Sequence, residues 1–168
     1  MSAFVDMLII SEHATISPLA DIEDSVRGSK IIIADGVVID SFVKIKPTGG
    51  MGDVVIGENS YINSGTVIYS GHGVTLGKNV LVAANCTIAA VNHEYMDKNR
   101  TILEQRHKPS KGGIIIEDDV WIGVNAVVLD GAVIRKGCVI GALSLVNGEL
   151  EEYGIYVGNP LRKIGERK

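Results

Sequence analysis

Residues 117–144, "EDDVWIGVNAVVLDGAVIRKGCVIGALS", bring back an aliphatic side chain every six positions, at Ile122, Val128, Ile134 and Ile140. Six is neither the 3.6-residue period of a helix nor the two-residue alternation of a single strand. Followed outward, the column reads Ile10, Ile16, Ile22; Ile33, Ile39, Ile45; Ile56, Ile62, Ile68; Leu76, Val82, Ile88; Ile116, Ile122, Val128; and Ile134, Ile140, Val146. The fourth residue after most of these is small or β-branched: Ala14, Ala20, Val26, Val37, Val43, Ser60, Thr66, Val80, Cys86, Val120, Ala126, Ala132, Cys138 and Ser144. Just before that position Gly or Asn recurs, as at Gly36, Asn59, Gly65, Asn79, Asn85, Asn125, Gly131 and Gly137.

A helix is excluded, because residues six apart do not share a helical face, β-branched side chains dominate and Gly or Asn interrupts throughout. Short strands remain. A unit that adds one extended face and then turns at Gly or Asn, which tolerate positive φ, uses six residues per face. Three faces close a triangular coil of about 18 residues, with strands pairing from coil to coil. A β-sandwich, with turns every 8 to 12 residues or so, does not hold one fixed register over such a length.

The chain has 168 residues, 46% of them hydrophobic, which suits a single domain over residues 1–168. Its net charge of −4 offers no basic face to a nucleic-acid backbone. Cys86 and Cys138 fall within apolar repeats, so buried free thiols are expected rather than a disulfide. The N-terminal stretch "MSAFVDMLIISEHATIS" has no basic leader region or cleavage site, and no uninterrupted apolar run of about 20 residues occurs. These features predict a soluble, cytoplasmic protein without a transmembrane segment.

The pattern resembles the hexapeptide-repeat acyltransferases, whose units read aliphatic, Gly, two free positions, a small residue and one free position. "IGVNAV" and "IGENSY" are good instances, and "VWIG", "VIGA" and "VGNP" sharpen the likeness. It lies nearest the galactoside, maltose and xenobiotic acetyltransferase group and the cell-surface sugar O-acetyltransferases. The resemblance implies an all-β fold, a left-handed parallel β-helix of about six triangular coils, assembled as a homotrimer. Repeats are expected over residues 10–149, an extruded loop at 92–115 and a C-terminal tail at 150–168.

The beat stops after Ile88 and resumes at Ile116, with the polar segment "VNHEYMDKNRTILEQRHKPSKGG" between. Long loops on rigid scaffolds are where function is commonly placed. His93 stands where the repeat gives way, and imidazole is suited to removing a proton near pH 7. In the related acetyltransferases the catalytic histidine lies within a stretch similar to "CTIAAVNHEYMD", which implies His93 as general base. Glu94 or Asp97 is the candidate to orient its ring. "HEYMD" is one residue short of HExxH and lies in a loop without helical signal, so no metal site is expected there. A three-histidine zinc site is also disfavoured, since His13, His72, His93 and His107 form no close set after the break. His72 is expected as a turn residue about one coil earlier.

Counting back from His93, Asn63 falls where the galactoside pattern has an asparagine that contacts the acceptor, although "INSGTV" also reads as a turn. The resemblance further implies acetyl-coenzyme A as acyl donor, in a groove between adjacent β-helices. The matching residues are Trp121, Gly123, Gly141 and Ala142, with Arg162 and Lys163 as phosphate partners. One departure stands out: where relatives commonly read "GAGS" and then "TKD", this chain has "GALS" and then "NGE", so that Asn147 and Gly148 replace a Thr-Lys pair that often touches the cofactor. The expected activity is O-acetylation of a sugar or nucleotide-sugar hydroxyl by direct transfer. N-acetylation of an amino sugar is the alternative, and a non-catalytic trimeric scaffold is the reading from another class.

Overall fold

The computed structural model of the protein describes residues 7–168 and contains short strands wound into three-sided coils. The first face carries Leu8–Ile10, Ile31–Ile33, Val54–Ile56, Val74–Leu76, Ile114–Ile116, Val133–Ile134 and Glu149–Leu150, in that order. The second begins with Thr15–Ile16 and Val38–Ile39 and ends with Gly154–Val157 and Arg162–Glu166. The third runs from Asp21–Ile22 to Leu145–Val146. Pairing between consecutive coils is parallel and in register, so that Ile33 lies beside Ile56, and Val82 beside Ile122. The result is a parallel β-helix of six complete coils.

The six-residue column is the core. From Ile33 to Val146 every member is at most 1% exposed, with like stacked on like along the axis. The companion column fills the corners beneath them, Val37, Val80, Cys86, Ala126 and Cys138 all being fully buried or nearly so. Ser60 and Thr66 occupy the same positions because each hydroxyl finds a carbonyl of the next coil, Gly77 O at 3.0 Å and Ala83 O at 3.1 Å. All eight of the Gly and Asn residues singled out by spacing adopt positive φ, for example Asn59 at 58° and Gly65 at 72°. Phe42, Asp119, Leu143 and Tyr153 hold the same left-handed turn without being Gly or Asn.

Three details depart from the sequence reading. Val26 is 97% exposed and does not belong to the buried column. The Ser25 hydroxyl accepts from the Arg27 and Ser29 amides, making a turn that carries Val26 to its tip and buries Ser29 instead. Ile10 remains 39% exposed because its strand ends the first face and pairs on one side only. The segment expected as a tail is ordered into the fold: Leu150 and Tyr156 extend the core column into a partial seventh coil. Arg162–Glu166 then doubles back antiparallel on Gly154–Val157. It covers the last edge of the second face, which would otherwise offer unpaired backbone groups.

Candidate active site

The loop leaves the third face after Thr87–Ala89 and returns to the first face at Ile114–Ile116. Its two limbs form a neck. The Lys108 amide donates to Asn92 O at 2.9 Å and the Glu94 amide to Arg106 O at 3.0 Å, with His93 opposite His107 between them. This is the pattern of a non-hydrogen-bonded antiparallel pair, the one that brings facing side chains closest. The two imidazole centroids are accordingly 4.7 Å apart, with ring planes at 45°. Asp130, 7% exposed, anchors the returning limb by accepting from the Ser110 hydroxyl and the Lys111 and Gly113 amides at 2.8–3.0 Å.

Beyond the neck the chain makes a short helix, Ile102–Gln105. Thr101 caps it, and Glu104 returns to the Thr101 amide and hydroxyl in a capping box. Glu94 accepts from the Tyr95 and Met96 amides at 2.8 and 3.1 Å, and these bonds hold its carboxyl below the usual range. Asp97 accepts from the Asn99 amide at 3.0 Å. Within one chain the described bonds of both carboxylates go to loop backbone and not to the His93 ring. Lys108 stacks over the Tyr95 ring at 4.0 Å.

His93 and His107 are exposed and stand between two hollows. One, of about 290 Å³, lies on the outer side of the third face beside Lys46, Tyr69 and Val91. The other, of about 780 Å³, opens under the loop helix and is lined by Asn99, Arg100, Leu103, Glu104 and Arg106. His107 and the two arginines were not singled out from sequence. Their signal was there in "RTILEQRHK", but only the antiparallel neck brings His107 to His93. His72 is an exposed turn residue whose amide donates to Ala90 O.

The remaining candidates occupy other places. Asn63 is half-buried at the corner between the second and third faces, where its side-chain amide donates to Val82 O at 2.8 Å. Gly123, Gly141 and Ala142 lie at that same corner, higher up. A Cβ on Gly123 would come within 2.6 Å of the Ala142 amide nitrogen, so the residue is required for stacking of the coils. Trp121 projects from the second face, 49% exposed, in a ladder with Tyr61 and Leu81. Asn147 is instead at the corner between the third and first faces, near Asn92 and Lys108 at the loop root. Lys163 bonds to Glu151 and Glu166 at 2.5 Å each, whereas Arg162 is exposed with no ion-pair partner among the described residues. The base and most of the donor candidates therefore occupy different corners of one chain.

Both thiols are buried and donate to carbonyls, Cys86 to Gly123 O at 3.2 Å and Cys138 to Glu151 O at 3.0 Å. Burial pushes both thiols upward, away from the nucleophilic thiolate. Among the described residues no group of three or more His, Cys, Asp or Glu is arranged to hold a metal ion, and no helix is long and apolar enough to cross a membrane.

Triangular coils with one long loop at a corner define a class, the left-handed parallel β-helices built on hexapeptide repeats. Residues 53–90 match the family described as hexapeptide repeat of succinyl-transferase, and residues 113–148 that described as bacterial transferase hexapeptide (six repeats). A putative acetyltransferase of Saccharomyces cerevisiae is 30% identical over 163 residues, covering 94% of this chain and 80% of that protein. The galactoside O-acetyltransferase of Escherichia coli is 34% identical over 114 residues, covering 68% and 54%. AntD, an N-acyltransferase from Bacillus cereus solved in complex with dTDP-4-amino-4,6-dideoxyglucose and coenzyme A, superimposes with a TM-score of 0.80 at 28% identity, covering 97% of this chain and 85% of that one. This chain belongs to the hexapeptide-repeat acyltransferase family. It spans 38% to 65% of the length of three curated relatives that it matches, the galactoside enzyme among them.

Proposed function

We propose that the protein is an acetyl-coenzyme A dependent acetyltransferase acting on a sugar-type acceptor, with His93 as general base. The observation that carries this reading is the rigid neck: His93 is fixed at the rim of two hollows by backbone bonds on both sides. A base in that position takes the proton from an acceptor hydroxyl as its oxygen bonds to the thioester carbonyl carbon. The carbon–sulfur bond then breaks, and the imidazolium returns the proton to the leaving thiolate. Direct transfer is favoured because Cys86 and Cys138 are buried away from the loop. Glu94 and Asp97 act on His93 through the loop backbone that they hold in shape.

The donor side would use Trp121, Gly123, Gly141, Ala142 and Arg162, with Lys163 exchanging a carboxylate for phosphate, Asn63 contacting the acceptor and Asn147 serving at the loop root. Since the second-to-third corner and the third-to-first corner lie apart in one chain, the reading requires copies packed corner to corner. A cyclic head-to-tail trimer meets that requirement, and the outward ladder of Tyr61, Leu81 and Trp121 supplies apolar area for it.

Transfer to a hydroxyl is the leading reading, supported by likeness to the galactoside enzyme. Transfer to an amino sugar is favoured by a separate observation, the superposition on the N-acyltransferase AntD over 97% of this chain. Thiol release from acetyl-coenzyme A, measured against sugars, amino sugars and nucleotide sugars, tests both. His93→Ala is expected to lower turnover by roughly 10² to 10⁴ without changing the oligomer. A variant with undiminished turnover rules His93 out as the base.

A further inference from the structure

The loop is charged unlike the rest of the chain. Residues 92–113 hold five Lys or Arg against three Asp or Glu, in a protein of net charge −4. All three loop carboxylates are occupied by the loop itself: Glu94 by two amides, Asp97 by the Asn99 amide, and Glu104 by the Thr101 amide and hydroxyl. Of the cations, Lys108 lies 3.8 Å from Glu94, and the others have no carboxylate within ion-pair distance among the described residues. Arg100 spends one nitrogen on the Glu104 carbonyl at 2.8 Å, and Arg106 has no side-chain partner among the described residues. Both line the cavity of about 780 Å³ that reaches His93 and His107. On the other side of the two rings, Lys44 and Lys46 are already paired with Asp21 and Glu23. Of the loop's unpaired cations, Arg100 and Arg106 share the cavity with one carboxylate, Glu104, whose oxygen is taken up by Thr101, while Lys111 lies in a separate hollow at the loop root.

Arg106 also sits in a backbone conformation that a bulky residue seldom adopts, with φ 66° and ψ −146° at the helix end. Strained backbone of this kind clusters at binding and catalytic sites. Here the residue so held is one that lines the same cavity as the His93–His107 pair.

From this we infer that Arg106, assisted by Arg100, binds an anionic group carried by the acceptor, so that the substrate is an acidic or diphosphate-linked sugar and not a neutral one. The inference rests on the acetyltransferase reading and narrows it. Guanidinium groups suit the task because they present paired N–H donors to phosphate or carboxylate and stay charged. Both guanidiniums and the His93 ring line one cavity, so an acceptor seated there can meet the cation and the base together.

The test compares four acceptors at fixed acetyl-coenzyme A: galactose, glucosamine, glucuronic acid and dTDP-4-amino-4,6-dideoxyglucose. The anionic pair should exceed the neutral or cationic pair in kcat/KM by about tenfold or more, with an advantage that shrinks as salt is raised. Arg106→Gln should raise KM for the preferred anionic acceptor by about tenfold with the loss falling on KM rather than kcat. Preference for galactose, with KM unmoved in Arg106→Gln, overturns the inference while leaving the acetyltransferase reading intact. If no acceptor is turned over, that reading fails, and binding decides this one separately. With coenzyme A saturating its own site, calorimetric titration of dTDP and of glucuronate should show at least one binding to the wild type and weakened in Arg106→Gln. Failure of both to bind also overturns it. Preference for glucuronate points to a carboxylate as the recognised anion, and preference for the nucleotide sugar to a diphosphate.

Discussion

Arg106 is costly where it stands. A non-glycine residue held in a sparsely populated region costs on the order of 1–3 kcal/mol, and nothing in the neck's hydrogen bonding demands a side chain there, since Arg106 contributes its carbonyl to the Glu94 amide. Arg106→Gly should therefore stabilise the loop by about 1 kcal/mol, after allowing for the extra freedom of glycine in the unfolded chain. Slower amide exchange across residues 92–108 would register this; faster exchange would mean that the guanidinium holds the loop and that the strain argument is wrong. The place of His93 at the root of the loop was legible from where the repeat stops, whereas its role as base came from the family resemblance and is part of the proposal. The place of His107 was not legible, because its pairing with His93 depends on two backbone bonds between limbs that sequence spacing leaves unconnected.

At the scale of the element, the loop is a unit fastened to a rigid prism at few points. Asp130 grips the returning limb, while Glu94 and Glu104 shape the rest through backbone amides. Those amide bonds place both glutamates below their ordinary value of 4.5. A carboxyl whose folded value is depressed contributes stability above the unfolded value, and that contribution is lost as pH falls through the folded one. The loop should consequently loosen below about pH 4.5, while the apolar column, which carries no titrating group, keeps its protection. Limited proteolysis by pepsin across that range checks it: cleavage within residues 94–108 should precede any cut in the coils. The extent of the loop could be read from the missing beat. Its short helix could not, since Thr101 and Glu104 amount to one capping box around four residues, too few for a periodic signal.

Across the whole molecule, stacking explains why the coils were legible almost from end to end. Each side chain of the column packs on its equivalents one coil above and below, so one interior residue type is selected repeatedly and the period survives in sequence. The exceptions come where that constraint lapses: at the first coil, which has a neighbour on one side only, at the turn carrying Val26, and after Val146, where Leu150 and Tyr156 keep the register through residues outside the repeat. What a single chain's repeat does not encode is the meeting of two corners. The His93 corner and the Gly123–Ala142 corner are separated by a full face of the prism, so the central claim is that one site is built by two copies. Mixed oligomers test it most directly. His93→Ala and Ala142→Trp should each be nearly inactive alone, one lacking the base and the other blocking the donor groove. Unfolded and refolded together in equal amounts, they should regain about a quarter of the wild-type thiol release, since a complete site then forms wherever an intact His93 corner meets an intact Ala142 corner of the next copy. Mixed oligomers that form yet stay inactive would contradict the account and put base and donor groove in the same chain.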